Sequence, residues 1–313
     1  MRVVETVVAI LNRNHGPQLR LCLDSLLSQN PDDAVVIVVD GNSTDDSLQT
    51  IEEYSRKDKR VQLLIQKSRG TGKARNELIE HVQTCFPEAK RIVWGDSENL
   101  YHEDYLNAIR SVDADVVGGV NIIDSDSPLS QALWWAYNGL TGKTVVGNNE
   151  SVRASLYGNH RYPPITRTED FFFCRQLRED GARFSKTYDA ICYIKTAESL
   201  REFVQWERSR TQGLLEGARI TGRLMALLAT YVGVVSAILL YFVIAPFIFS
   251  LSLLLGFLYI AIFLGISAFM WIHGRRYLRR PRKLTALFIF PVFILDPFAV
   301  LLFLARATLP KHA

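Results

Sequence analysis

Between Leu224 and Ile272 the chain contains no Asp, Glu, Lys or Arg. This stretch of 49 residues exceeds the roughly 20 that one helix needs to cross a hydrocarbon core, so two spans joined by a tight turn near Pro246 are expected. Acids are scarce in the last third, where Asp296 is the only one after residue 223. Cysteine is scarce too. Cys22, Cys85, Cys174 and Cys192 form no metal-type pair and read as small apolar residues kept as thiols in a reducing compartment. No internal repeat or low-complexity linker is present. A Walker phosphate loop is also missing. SRGTGKARN contains Gly72-Lys73, but Lys67 stands where the first glycine belongs and Ala74 where Ser or Thr is required, which excludes a P-loop ATPase.

What is there is an uneven partition of charge. Residues 1–223 hold nearly all the acids, while six basic residues fall between Arg275 and Lys283. A third apolar run covers 284–305. By the positive-inside tendency the basic loop faces the cytoplasm, and two spans upstream of it put the N-terminal part on the same side. MRVVETVVAI has no long apolar core and is expected to be a first strand, not a leader. The net charge of +4 is largely explained by the basic loop and the helix before the first span. It therefore implies no nucleic acid, and phosphate headgroups are the simpler partner.

Short apolar runs alternate with helical spacing along the first two thirds. Strands are expected at 6–11, 34–40, 61–66, 91–95 and 115–123, with helices at 18–28, 45–56, 72–84, 102–110 and after Asp170. Nearly all-apolar strands alternating with helices imply a mostly parallel sheet covered on both faces. Ligands bind such sheets beyond the carboxyl ends of the strands, and Asn12, Asp40, Lys67 to Gly70 and Asp96 all fall there.

Several constellations carry chemistry. In Asp96-Ser97-Glu98 two carboxylates two residues apart point the same way on an extended chain and make a hard-oxygen site for Mn2+ or Mg2+; the alternative is a polar turn. Asp40 closes an apolar strand and is read as a contact to a base or ribose, while Asp45 and Asp46 are read as helix caps. Lys67, Arg69 and Lys73 suit a diphosphate, with glycines allowing close backbone approach. Glu169-Asp170 precedes a helix. There an acid is either a cap or a general base within reach of an acceptor hydroxyl. From Ser199 to Arg223, Leu200, Phe203, Trp206 and Leu214 alternate with arginines, as in an amphipathic helix lying at a membrane interface.

In this order the residues resemble the family-two inverting glycosyltransferases with a GT-A fold, of the membrane-bound cellulose-synthase-like or dolichyl-phosphate-mannose-synthase-like kind. The resemblance rests on Asp40, the Gly-Lys loop, Asp96-Ser97-Glu98, GNNESVR (147–153), Glu169-Asp170 and Gln205 with Arg208 in a Gln-x-x-Arg-Trp-like motif, whose tryptophan is Ser209 here. It covers about residues 5–215. It implies an α/β GT-A fold, Rossmann-like with a mostly parallel sheet, and a C-terminal α-helical transmembrane domain. The expected domains are a cytoplasmic catalytic domain (1–198), an interface helix (199–223) and a transmembrane domain (224–313) with helices at 224–245, 248–272 and 284–305.

The resemblance also implies roles. Asn12, Asp40, Lys73 and Asp96 would bind the nucleotide, and Asp96 and Glu98 the metal. Asp170 would be the catalytic base. Glu169, Gln205, Trp206 and Arg208 would meet acceptor and diphosphate, with Trp134-Trp135 as another stacking surface. The implied enzyme is a metal-dependent hexosyltransferase at the plasma membrane, multi-pass, using a GDP- or UDP-sugar and a lipid-linked acceptor among membrane lipids; mannose from GDP-mannose is the first choice. A polyprenyl- or dolichyl-phosphate glycosyl synthase and a polysaccharide synthase are the alternatives. A non-catalytic membrane protein is suggested by Asp296 within an apolar run, but leaves three acidic strand ends unexplained.

Overall fold

The runs TVVAIL and AVVIVVD, rich in β-branched residues, become β1 (Thr6–Asn12) and β2 (Ala34–Asp40). They pair in parallel with Asn12 level with Asp40. The computed structural model describes residues 4–29, 33–138, 147–282 and 285–308. In chain order the other elements are α1 (Gly16–Leu27), α2 (Ser47–Lys57), β3 (Val61–Ile65), α3 (Thr71–Cys85), β4 (Arg91–Asp96), β5 (Leu100–Tyr101), α4 (Tyr105–Arg110), β6 (Val116–Ile123), α5 (Pro128–Asn138), β7 (Asn149–Arg153), α6 (Glu169–Glu179), β8 (Phe184–Ile194), α7 (Leu200–Ile220), α8 (Leu224–Leu251), α9 (Leu253–Gly274) and α10 (Thr285–Thr308).

The sheet order is β3-β2-β1-β4-β7-β6-β8-β5. Its first four strands are parallel. β7 then runs antiparallel to both β4 and β6, and β5 antiparallel to β8. The sheet is thus mixed, not mostly parallel. Hydropathy conceals β7 because Asn149, Glu150 and Ser151 are polar yet fully buried. It marks only the end of β8, the run AICYI, because the first half of that strand carries Ser185, Lys186 and Asp189 and mixes buried and exposed positions.

The chain divides into two compact units, Met1–Ile122 with Lys143–Lys195, and Ile123–Gly142 with Thr196–Ala313. The segment from Ile123, placed by sequence in the N-terminal domain, belongs with the C-terminal helices. In the first unit one sheet face is packed by Leu78, Ile79 and Val82 of α3 and by Phe173 and Leu177 of α6 against Val7, Ile37, Val39 and Trp94. Gly72 lets α3 approach the 163–165 segment. Its N–H donates to the Ile165 carbonyl at 3.0 Å, and a Cβ there would lie 1.9 Å from the Pro163 oxygen. That close approach is made by the protein's own backbone, not by a phosphate. Asp45 caps as expected, accepting from the amides of Gly16 and Ser47 at 2.9 and 3.0 Å; Asp46 makes no side-chain cap bond to α2.

In the second unit α7 begins on Ser199, whose hydroxyl accepts from the Glu202 amide at 3.2 Å, while the Glu202 carboxylate reaches back to the Glu198 amide at 2.9 Å. This is close to a capping box. Asp296 pairs with Arg210 of α7 at 3.3 Å, and Arg210 also holds Glu207 at 2.7 Å. The lone acid of the last third is therefore an ion-pair partner. The basic loop is pinned, not free. Arg279 pairs with Asp124 at 2.7 Å and Arg282 with Asp126 at 3.4 Å, and buried Gln131 bonds the Arg280 carbonyl, the Arg282 amide and the Thr285 hydroxyl.

The break between α8 and α9 falls at Ser252, whose backbone is extended, and not near Pro246, since α8 continues to Leu251. Among the described residues no helix is long and apolar enough to cross a membrane, so the expected spans at 224–245, 248–272 and 284–305 are not borne out at that level. Large apolar side chains on α8 and α9 are nevertheless exposed, Met225, Leu253, Leu254 and Phe257 by 66–77%.

Gly72→Ala forces α3 away from the 163–165 segment. Overpacking of this kind costs about 2 kcal/mol, to be read as a lowered midpoint in thermal unfolding of the purified protein. An unchanged midpoint contradicts the close approach.

Candidate active site

Strand register builds the site. Asn12 pairs with Asp40, and Leu11 with Asp96, so the ends of β2, β1 and β4 lie level at the carboxyl edge of the sheet. Asp40 is fully buried. Its Oδ1 accepts from Asn12 Nδ2 at 2.8 Å and Ser43 Oγ at 2.6 Å, and its Oδ2 from the Ser43 amide at 2.8 Å. The carboxylate thereby shapes the 41–46 loop from inside. Asn12 Oδ1 is buried and has no partner.

β4 ends at Asp96, and Ser97 and Glu98 form a turn. The extended-chain argument for two carboxylates side by side therefore fails, yet the turn still brings them within electrostatic reach. Burial pushes the half-buried Asp96 up to about 6; Arg75 opposes this, and Glu98 and Asp170 reinforce it. Glu98 is exposed and lies 3.4 Å from His15 Nδ1. Among the described residues no group of three or more His, Cys, Asp or Glu is placed to hold a metal. Two hard-oxygen donors suit Mg2+ or Mn2+, which usually take one or two carboxylates and complete their shell with substrate phosphates and water. Asp96 and Glu98, with Asp170 adding negative charge near Asp96, are chemically suited to a dication, so the donor set fits.

Asp170 lies in the first turn of α6, after Thr168 at φ 63°. Its Oδ2 accepts from the Gly147 amide at 3.0 Å, and a Cβ on Gly147 would fall 2.3 Å from the Asp170 Cβ. Glu169 is turned inward. It is 4% exposed and its Oε1 accepts from Arg75 Nε at 2.9 Å. Arg75 is the only buried Lys or Arg among the described residues. Its Nη2 donates to the Gly147 carbonyl at 3.0 Å, its plane lies 4.6 Å from the Trp94 ring and 5.0 Å from that of Tyr162, and its Nη1 has no partner.

Fully buried Glu150 of β7 accepts from Tyr162 Oη at 3.3 Å and Cys174 Sγ at 3.4 Å. Burial pushes Glu150 and Glu169 each up to about 7, against the pull of Arg75. Sequence reasoning missed Arg75 and Glu150. For Arg75 a signal existed: with Leu78, Ile79 and Val82 it falls on the apolar face of α3, where a cation must be paired.

Lys67, Arg69 and Lys73 are exposed around the start of α3. Of GNNESVR only the glycine end reaches the site, because Arg153 pairs in register with Arg91 at the other end of β4 and binds Asp113 and Asp115. Exposed Gln205 and Arg208 and half-buried Trp206 are on α7 of the second unit, where Arg210 lies 5.5 Å from the Trp206 ring. The side chains of Trp134 and Trp135 lie outside the described residues. All four cysteines are free.

Residues 6–130 match the model of Glycosyl transferase family 2. The match takes in Asn12, Asp40, Asp96 and Glu98 and stops before Asp170. EpsH of Bacillus subtilis (strain 168), assigned to the glycosyltransferases, is 33% identical over 102 residues, 33% of this chain and 28% of the relative. The glycosyltransferase GlyA of Streptococcus pneumoniae is 29% identical over 91 residues, 29% of this chain and 12% of the relative. The chain thus matches less than a third of the length of either.

Among solved structures, the mannosyltransferase PcManGT from Pyrobaculum calidifontis, in complex with GDP-Man and Mn2+, has a TM-score of 0.63 at 16% identity, over 97% of this chain and 88% of that one. S. aureus TarS 1–349 has a TM-score of 0.51 at 16% identity, over 98% and 93%. At these identities the likeness is one of fold, a GT-A-like mixed α/β sheet.

Because the raised carboxyls of Glu150 and Glu169 bind protons more tightly when folded, the folded chain holds more protons than the unfolded one between the ordinary value of 4.5 and about 7. Their contribution to stability is full below 4.5 and lost as pH rises through 7. Glu150→Gln is expected to remove roughly half of that slope, measured as unfolding midpoints from pH 4.5 to 8; an unaltered slope contradicts the assignment.

Proposed function

We propose that this chain is an inverting, metal-dependent glycosyltransferase that takes a sugar from a nucleotide diphosphate donor, first choice GDP-mannose, to a lipid-linked acceptor. The reading is carried by one observation: Asn12, Asp40 and Asp96 end adjacent strands at a common level, and Asp170 and Glu98 both act on Asp96. Four acids, from β2, from β4 with the turn that follows it, and from α6, thus gather at one sheet edge, where a charged donor is bound in α/β sheets.

In this mechanism Asp40 and Asn12 fix the loop that receives the nucleoside, and Asn12 Oδ1 has acceptor capacity left for it. Lys73 offsets diphosphate charge. Asp96 and Glu98 would hold Mn2+ or Mg2+, which when bound neutralises charge on the leaving diphosphate. Asp170 keeps one carboxylate oxygen directed by the bond that Gly147 makes to the other, and takes the proton of the acceptor hydroxyl as it attacks the anomeric carbon from the face opposite the leaving group. The assignment of Gln205, Trp206 and Arg208 to diphosphate and acceptor is part of the proposal.

GDP-mannose and Mn2+ as ligands are supported by the content of the PcManGT structure. A seat at the plasma membrane, with the catalytic part cytoplasmic, is supported by the 49 uncharged residues from Leu224 and by the exposed apolar side chains of α8 and α9, since apolar patches of that kind mark membrane or protein contact.

The test is nucleoside diphosphate release by the full chain in detergent with Mn2+ and a panel of nucleotide sugars, with and without lipid extract. Release from one donor, raised by lipid and lost in Asp96→Ala/Glu98→Ala, is expected. Asp170→Asn should lower turnover about 10²- to 10⁴-fold with donor affinity kept, and product analysis should find a new glycosidic bond. An acid-labile glycosyl phosphate would instead identify a phosphate acceptor, and no release from any donor would overturn the reading.

A further inference from the structure

The role of base assigned above asks only for Asp170, yet the structure surrounds it with buried charged groups. Arg75 grips two things at once: the side chain of Glu169, the residue before Asp170 in α6, and the carbonyl of Gly147, the residue whose amide holds Asp170 Oδ2. Both tethers of Asp170, one through its helix and one through its carboxylate, therefore end on a single guanidinium. That guanidinium also lies against the Trp94 and Tyr162 rings, 4.6 and 5.0 Å from their centroids. Tyr162 is fixed in turn by stacking on Phe173 at 4.0 Å, one turn further along α6.

We propose that Arg75, acting through Gly147 and Glu169, is a positioning residue that sets the direction of the Asp170 carboxylate. Arg75 need not meet the acceptor to do this. A planar fork is required, because Nε and Nη2 serve two acceptors in different directions, and a lysine ammonium on a flexible stem does not reproduce that pair. Gly147 is required because any Cβ would displace Asp170.

The inference rests on Asp170 being the base, and its test separates the two claims. GDP release from GDP-mannose with Mn2+ and lipid extract is measured for Arg75→Lys, Glu169→Gln and Gly147→Ala, each alone and combined with Asp170→Asn, beside GDP binding and thermal midpoint. A shift of about 1 Å in a reacting group can cost about 100-fold. Each single variant is expected to lose 10- to 100-fold in kcat, with the donor KM and the GDP affinity within about threefold. In the Asp170→Asn background the same changes are expected to add less than about threefold, since residues that act as a unit are not additive.

Losses that multiply fully in that background, or that follow the thermal midpoint and GDP affinity down together, overturn the positioning role while leaving the base intact. Normal turnover in Asp170→Asn alone overturns the base assignment, and the inference with it. Arg75→Lys is the variant most liable to misfold. Gly147→Ala keeps every charge, and full activity in that variant is sufficient to reject the proposal.

Discussion

A buried guanidinium is the constraint on which the first unit depends. Removing a charge from water costs several kcal/mol unless its bonds are replaced; Arg75 gains a carboxylate at Nε, a peptide carbonyl at Nη2 and two aromatic faces as replacements, and its Nη1 is left without a hydrogen-bond partner. Each replacement comes from a different part of the chain. Glu169 opens α6, Gly147 precedes β7, Trp94 lies on β4 and Tyr162 in the segment before α6. Satisfying one side chain therefore fixes the mutual placement of segments spread over nearly a hundred residues. The aromatic cluster of Trp94, Tyr157, Tyr162 and Phe173 packs around the same point and keeps it dry.

Charge balance at this point explains the titration behaviour. Glu150 and Glu169 are both buried beside one cation, so the interior carries more negative charge than Arg75 offsets, and both acids are pushed up by burial. Asp96, half-buried at the strand end, is likewise pushed up by burial, with Glu98 and Asp170 adding to it and Arg75 opposing. An edge poised in this way attracts cations, and the fold places it where strand ends and loop amides meet.

The second unit solves a different problem. Arg210, Glu207 and Asp296 form a charged contact between α7 and α10, inside helices whose other contacts are Leu215, Val300 and Leu304. Gln131 ties α5 to the basic loop and to the start of α10. Apolar chains on α8 and α9 are left outward, the reverse of the first unit, where β1 and β2 are buried on both faces.

Local sequence determined a good deal. The runs at 34–40 and 91–95 are buried strands as expected, and the helices between them followed from periodicity. The carboxyl-edge cluster of Asn12, Asp40 and Asp96 was legible too, because parallel strands of similar length end level. Other features were decided by tertiary structure alone. β7 is a central strand made of Asn, Glu and Ser, which no hydropathy pattern marks; partners distant in sequence make its burial tolerable. Ser97 turns where an extended run was expected. Glu169 points inward and Asp170 outward because Arg75, 94 residues away, claims the first. A sequence can show that two acids are adjacent. Which of them meets solvent is set by where the counter-charge folds, and that depends on contacts between segments that local propensity does not encode.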